Sequence, residues 1–434
     1  MTALGERGGV GWLAVVALLV VTACSSTQLP ELDQTAPTQP ATTLARPSTT
    51  TTPDSPADPS DQTRPAELLE IPGRLAALGP AGELLVRAGN TDWEQWSADA
   101  RLVTQFGWSP DGARMTWTEA GDDGTELVVG DGRDRALVPL ERPPFFVWWT
   151  PDGSRVSHLG AAGDQITLAL SPIDGQADQV LAEASPLFYS LSPSGRVAVH
   201  EAGTDLGVVE GATVDLVART SGGFQAPAWL DDERLLAVVQ LERGDAFAIV
   251  DTTDGSVTPL FDVDGSISFA VSPDGRRVAY QILQGAQADD RPVGNRVTAQ
   301  TTEPDPPDVL VLDLETQQAT LAFIGQARWL DWSPDSRALA GLIDAGDLTW
   351  RVWDEQELTR SAPVEISPVM AESFVPFYDQ YTQALTGWSP DSSLYAFAAS
   401  MSGRTGVFVQ PAEVGAEASF LGPGVMVAWA PQAG

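Results

Sequence analysis

The chain has 434 residues, of which 43% are hydrophobic, so a sizeable core is possible. Its 59 acidic residues against 24 Lys and Arg give a net charge of −35, which argues against binding to nucleic acid or to an anionic surface. The single cysteine excludes an intramolecular disulfide and a cysteine-based zinc site. A cationic partner remains an alternative to a merely solvated acidic surface. All the basic residues are Arg, and Asn is rare, which indicates a high-GC bacterial genome.

An apolar run occupies positions 10–23 near the amino terminus. As a helix it would be roughly 21 Å long, shorter than the ~30 Å hydrocarbon core of a membrane, so it predicts a signal peptide over residues 1–23. The run ends in Val21-Thr22-Ala23-Cys24, which resembles the bacterial lipobox. That resemblance implies cleavage before Cys24 and acylation of its thiol. The alternative is an ordinary secretory signal with a chance cysteine.

Residues 24–65 are rich in Thr, Pro, Ser, Gln and Ala and have no hydrophobic period. Such a segment cannot bury enough apolar surface to fold, and its prolines favour an extended spacer. We therefore expect a lipidated amino terminus followed by a disordered linker. Whether the linker is bare or O-glycosylated is left open by the composition.

A five-residue motif then recurs to the end of the chain at spacings of about 42 residues. Its type copy is Trp108-Ser109-Pro110-Asp111-Gly112, and six more begin at Trp149, Leu191, Trp229, Val271, Trp332 and Trp388. A degenerate copy precedes them at positions 78–82, and a truncated one, Trp429-Ala430-Pro431, follows them. Each motif reads as a tight turn, since proline fixes φ and glycine accepts positive φ.

Four short strands accompany each motif, which is the content of one propeller blade. The sequence therefore predicts an all-β fold in which residues 66–434 form a single β-propeller. Eight four-stranded blades are expected, and seven are the alternative because the first unit is short and degenerate. Residues 425–429 should form a closing strand that completes the first blade, and the motif tryptophans should pack between blades.

The repeat resembles the WD40-like repeat of the TolB family, in which W-S-P-D-G precedes a basic residue and a strand. Basic residues follow the turns here at Arg114, Arg155, Arg196, Arg234, Arg276 and Arg337. The chain is also similar in plan to the propeller portion of LpqB-type actinobacterial lipoproteins. Both resemblances imply a fold and leave function open. The additional folded domain of each family has no counterpart in this sequence, so TolB's partnership with an outer-membrane lipoprotein is not carried over.

No catalytic set or cofactor site emerges from the sequence, and the G-x-S-x-G element of α/β-hydrolases is absent. The only histidines, His158 and His200, occupy similar places in consecutive units. They are interpreted as structural, with a metal pair as the alternative. The stretches 122–124 and 262–265 resemble fragments of calcium loops, but both are interpreted as hairpin turns.

Two insertions interrupt the regular spacing, at residues 284–308 and at about 367–383. The first is predicted between the second and third strands of its unit, where it can be disordered. The second is predicted between the fourth strand of one unit and the first strand of the next. Strand alternation then puts both on one face, opposite the Pro-Asp-Gly turns. Aromatic residues in such loops are candidates for partner contact, here Phe374, Phe377, Tyr378 and Tyr381. Alternatively, they fold back over the base of their own loop.

These features favour a non-catalytic binding scaffold that is anchored by lipid to the outer face of the cell membrane. Its partner would be an envelope protein or a glycan. Two alternatives are a propeller enzyme with a site at the central channel and a sensory accessory of an envelope signalling system.

Overall fold

A computed structural model describes residues 69–140, 142–211, 213–220, 225–283 and 307–432. The predicted signal peptide and linker, residues 1–65, and positions 284–306 of the first insertion lie outside the described residues. Within the described part, 32 strands form eight antiparallel sheets of four strands each. This confirms the eight-bladed propeller, and the seven-bladed alternative is wrong.

The first four blades are numbered in chain order. Blade 1 contains β1 (Ile71–Leu78), β2 (Leu84–Gly89), β3 (Glu94–Gln95) and the last strand, β32 (Met426–Trp429). Blade 2 contains β4 (Leu102–Trp108), β5 (Met115–Gly121), β6 (Gly124–Gly130) and β7 (Arg135–Val138). Blade 3 contains β8 (Pro144–Trp149), β9 (Arg155–Ala162), β10 (Gln165–Pro172) and β11 (Gln179–Ala184). Blade 4 contains β12 (Leu187–Leu191), β13 (Val197–Glu201), β14 (Asp205–Glu210) and β15 (Thr213–Arg219).

The second half of the ring repeats the plan. Blade 5 contains β16 (Ala228–Trp229), β17 (Arg234–Leu241), β18 (Gly244–Asp251) and β19 (Val257–Asp262). Blade 6 contains β20 (Ser266–Val271), β21 (Arg277–Leu283), β22 (Val309–Asp313) and β23 (Ala319–Phe323). Blade 7 contains β24 (Gln326–Trp332), β25 (Leu339–Asp344), β26 (Leu348–Asp354) and β27 (Gln356–Arg360). Blade 8 contains β28 (Val364–Glu365), β29 (Leu394–Met401), β30 (Arg404–Pro411) and β31 (Ser419–Gly422).

The motif turns connect the first and second strands of a blade. In blade 2 the Ser109 hydroxyl donates to the Asp111 carboxylate at 2.6 Å and accepts from the Arg114 N–H at 2.9 Å. Gly112 adopts a φ of +61°, which favours glycine. Blade 4 has Ser194 where the turns of blades 2, 3 and 5 to 8 have aspartate, and Asp232 of blade 5 accepts the Ser192 hydroxyl instead at 2.7 Å. The end of the ring that carries these turns is called the turn face below.

Each motif tryptophan lies between two blades, as the sequence predicts. The Trp149 indole N–H donates to the Gly107 carbonyl of blade 2 at 3.1 Å, and Trp332 donates likewise to Ala270 of blade 6 at 3.0 Å. An arginine of the preceding blade covers the tryptophan ring in several boundaries. The guanidinium carbon lies 4.9 to 5.4 Å from the ring centroid in the pairs Arg74–Trp108, Arg114–Trp149, Arg196–Trp229 and Arg277–Trp332. In blade 6 the covering residue is Arg277, the neighbour of the Arg276 that follows the turn in the sequence motif.

The ring closes in blade 1, where β32 pairs with β1 in the register Leu75 to Trp429. This confirms the closing strand. The motif of this blade is assembled from two distant parts of the chain, because the Ala430 N–H donates to the Arg74 carbonyl at 2.9 Å. The same bond joins Ser109 to Arg114 in blade 2 at 2.8 Å. In blade 1 the first strand is β32 and the second is β1, so positions 78–82, between β1 and β2, connect the second and third strands. The assignment of this degenerate copy as the first motif turn is therefore wrong.

Candidate functional site

The second insertion lies inside the first strand of blade 8, and not between two blades as its spacing suggested. Val364 pairs with Met401 at one end of β29, and Trp388 forms a bridge with Tyr395 near the other end. The stretch of β29 between those partners is much shorter than the chain opposite it. Residues 366–387, here called the channel segment, therefore leave the sheet at its inner edge.

The channel segment contains one π-helical turn (Met370–Phe374), one 3₁₀ turn (Val375–Phe377) and a short α-helix, α1 (Tyr378–Ala384). Helix α1 contacts β8, β12, β20 and β24, which are the first strands of four different blades. The first strands of the blades line the axis of a propeller. The segment consequently occupies the central channel of the ring.

Three of the four aromatic residues predicted for partner contact are buried there. Phe374 is 1% exposed, Tyr381 5% and Tyr378 7%. The rings of Phe374 and Tyr381 lie 4.7 Å apart, and Tyr381 packs edge-on against Phe146 at 5.1 Å. Phe377 keeps partial exposure and lies 6.5 Å from Phe188. Partner contact by the four remains a prediction, and it would require the segment to leave the channel. The alternative, that the aromatics cover the base of their own loop, does not describe these contacts either, because Phe146 and Phe188 belong to blades 3 and 4.

Polar side chains of α1 bind the free inner edges of the first strands. The Gln380 amide donates to the Tyr189 carbonyl at 2.7 Å and accepts from the Tyr189 N–H at 3.1 Å. It thus makes the pair of bonds that a neighbouring strand would make with β12. Next to it, the Asp379 carboxyl accepts the Ala226 N–H at 2.6 Å. These bonds fix α1 against blades 4 and 5.

A second carboxyl holds the segment at its carboxyl-terminal end. Asp331 of β24 is 4% exposed and accepts the Gly387 N–H at 2.8 Å. The Thr386 hydroxyl lies 3.4 Å from the same oxygen. Burial raises the pKa of Asp331 to about 8 and that of Asp379 to about 6. Neither carboxyl was identified from the sequence, although an acid between Leu330 and Trp332 in an apolar strand was a visible signal.

The two histidines are held by partners within their own part of the ring. The imidazole of His200 bonds the Gln225 carbonyl at 3.0 Å and the Thr220 hydroxyl at 2.7 Å. His158 Nε2 lies 2.9 Å from the Ser171 hydroxyl. Burial lowers the pKa of both imidazoles. Within the described ranges, no group of three or more His, Cys, Asp or Glu side chains is placed to hold a metal ion.

The two stretches that resemble calcium loops lie in connections between strands. Asp122 and Asp123 fall between β5 and β6, and Asp123 pairs with Arg101. Asp264 lies in the short connection between β19 and β20. The first placement agrees with the hairpin interpretation, whereas the second stretch connects blades 5 and 6, so the hairpin interpretation is wrong for residues 262–265.

A cavity of about 400 Å³ opens on the turn face where the ring closes. Its walls come from blades 8, 1 and 2, and they include Pro72, Arg74, Asp111, Pro390 and Pro431. The cavity coincides with the one motif whose turn is not continuous in the chain. No helix of the described residues is both long and apolar enough to cross a membrane.

No protein-family model matches the chain, and no curated protein matches it in sequence. Among solved structures, it is similar to a eukaryotic initiation factor at 11% identity and a TM-score of 0.50, over 83% of this chain and 99% of that chain. It is also similar to an oligogalacturonate lyase in complex with manganese, at 11% identity and a TM-score of 0.48, over 79% and 98% of the two chains. TolB from Acinetobacter baumannii matches at 14% identity and a TM-score of 0.36, over 73% and 82%. At such identities the likeness shows the fold alone.

Proposed function

We propose that the protein is a lipid-anchored, extracytoplasmic binding scaffold of the cell envelope, with an envelope protein or a glycan as its partner. The observation that carries the proposal is the occupied channel. The axis of the ring, where a propeller enzyme of the kind considered above would place its site, holds the buried residues of the channel segment. Binding is then left to the loops and outer surfaces that the blades hold rigidly.

The anchor is carried by the sequence of the amino terminus. Cys24 is the only cysteine and directly follows an apolar run and two small residues. Acylation there, with the linker of residues 25–65 as a spacer, would hold the propeller at a distance from the membrane surface. The resemblance of the motif to TolB and LpqB-type repeats is consistent with an extracytoplasmic lipoprotein.

In-cell crosslinking of the full chain, followed by identification of the captured molecules, tests the proposal. We expect a defined envelope partner with wild type and a much smaller yield with Cys24→Ala, because the anchor raises the local concentration of the two proteins. If the protein catalyses a change in an envelope polysaccharide or peptide, and this activity persists when partner binding is lost, a purely binding role is contradicted. An equal crosslinking yield from wild type and Cys24→Ala would show that the anchor is not needed to bring the protein to its partner.

A further inference from the structure

The channel segment is attached to the ring through two carboxyls at different places. Asp379 lies on the segment and accepts the Ala226 N–H of the ring at 2.6 Å. Asp331 lies on the ring and accepts the Gly387 N–H of the segment at 2.8 Å. Both interactions therefore cross the boundary between segment and ring. Release of the segment would expose the buried Asp331 to water and increase the exposure of the partly exposed Asp379.

No cation faces either carboxyl among the described residues that pack against them. Of the strands that contact α1, β24 carries Arg328, which pairs with Asp344 at 3.2 Å. The other titratable groups beside the two carboxyls are Tyr395, next to Asp331, and Tyr378, next to Asp379. Burial raises the pKa of both phenols, so they stay neutral in the physiological range. An ionised Asp331 would be buried without a counter-ion, which is costly, whereas Asp379 is partly exposed and its ionisation costs less.

We propose that the channel segment is a proton-linked latch, docked in the ring while Asp331 and Asp379 are protonated and loosened when both ionise. A protonated Asp331 can still accept the Gly387 N–H through Oδ2, and an O–H on Oδ1 can point to the Thr386 hydroxyl, which lies 3.5 Å away. Docking keeps this pair of carboxyls neutral, and hydration of the open form favours their charged state.

The direction of the pH dependence follows from linkage. Burial raises the pKa of Asp379 to about 6 and of Asp331 to about 8 in the docked state. A carboxyl in water ionises near pH ~4. The docked form therefore retains protons that the open form releases, and docking weakens as the pH rises from about 4 to about 8.

Opening has a defined consequence for the ring. The main-chain N–H and carbonyl of Tyr189, now bound by Gln380, would become a free strand edge at the axis. An extended polypeptide can pair with such an edge through its own main chain. The latch thus controls access to the inner edge of β12.

Hydrogen exchange of the full chain, read by mass spectrometry at about pH 5.5 and about pH 8.5 and corrected for the intrinsic pH effect, tests the proposal. In wild type, protection of residues 378–387 should fall at least about tenfold more than protection of the β17–β18 hairpin, because each unit of pKa shift is tenfold in the equilibrium. In the Asp331→Asn and Asp379→Asn double variant, protection of the segment should change between the two pH values by the same factor as protection of the β17–β18 hairpin. The amides keep the acceptors and cannot ionise.

Asp391→Asn is the matched control, since Asp391 caps a turn on the turn face through Ser389 and lies outside the latch. It should behave as wild type. If the double variant does not fold, Asp331→Asn alone should remove most of the loss of protection between about pH 5.5 and about pH 8.5, because only Asp331 keeps its proton above about pH 6 in the docked state. An equal loss of segment protection in wild type and in either folded variant, or no loss in wild type, would overturn the latch.

Discussion

The guanidinium of Arg74 lies over the ring of Trp108, with its central carbon 5.2 Å from the ring centroid. Arg74 belongs to β1 and Trp108 to β4, so the contact joins the blade that closes the ring to the next blade. Arg74 also donates to the Gly112 carbonyl of the blade 2 turn. The same arrangement links blades 2 and 3 through Arg114 and Trp149. The closing blade is therefore bound to its neighbour by the same contacts as a blade whose motif is continuous.

Deletion of residues 424–434 should open the ring. The deletion removes β32, whose residues Met426 to Trp429 are all buried, and it leaves β1 as an unpaired inner edge. We expect a large loss of thermal stability and loss of a single cooperative transition in calorimetry. Deletion of positions 432–434 is the control, because it leaves β32 intact. A long deletion that melts like wild type would mean that closure does not depend on this strand.

Trp149→Ala should destabilise the propeller by about 3–5 kcal/mol, the usual cost of truncating a large buried aromatic residue. Trp149 is 2% exposed, and its N–H reaches the Gly107 carbonyl of blade 2. Trp149→Phe keeps most of the apolar area and loses the bond, so we expect a smaller cost of about 1–3 kcal/mol. Urea unfolding at equilibrium measures both.

Leu137→Ala is the matched surface control for Trp149. Leu137 is 55% exposed on an outer strand, so the expected change is within about 0.5 kcal/mol. Equal effects of the inner and outer substitutions would contradict the assignment of the tryptophan to the blade boundary.

His200 should make the fold less stable as the solution becomes acidic. Burial lowers the pKa of this imidazole in the folded protein. Below a pH of about 6.5 the unfolded chain therefore binds a proton that the folded chain does not bind, and the free energy of unfolding falls. His200→Gln should be less stable at neutral pH but lose less stability between about pH 7 and pH 5. Denaturant midpoints across this range give the comparison, and parallel curves for the two proteins would refute it.

Cys24→Ala should release the protein from membranes or block its maturation, because the thiol is the predicted site of acylation. Membrane fractionation and the intact mass of the mature chain provide the measurement. Ser25→Ala, next to it, should leave fractionation unchanged and lower the mass only by the oxygen atom that the substitution removes. The lipobox interpretation fails if Cys24→Ala fractionates like wild type and its mass differs from wild type only by the sulfur atom that the substitution removes.

Much of the ring could be predicted because each motif and its turn are determined by residues that are close together in the sequence. Around the motif at Trp149, the four strands expected for a blade are β8 to β11, and Trp149 ends the first of them while Arg155 begins the second. The closing strand was likewise visible in Trp429-Ala430-Pro431. In each case the signal lies within a few residues of the structure that it predicts.

The channel segment could not be placed in the same way. Its aromatics stood out in the sequence as candidates for partner contact, but their burial depends on inner strands that lie far away in the chain, such as β12 around Tyr189. Tyr378 and Tyr381 are three residues apart, as on one face of a helix, and Gln380 lies between them. That spacing was a local signal for α1. The partner of Asp331, Gly387, is reached only once blades 7 and 8 have come together.

Because β32 and β1 pair in blade 1, the blade that contains both ends of the propeller chain is built like the other blades. The end of one strand and the beginning of its neighbour meet there with the bond from Ala430 to Arg74 already formed. A covalent link between Pro431 and Gly73 would make the turn continuous, with Trp429-Ala430-Pro431 before the link and Gly73-Arg74 after it. The chain could then be cut at the hairpin turn of another blade, and we expect such a circular permutant to adopt the same ring.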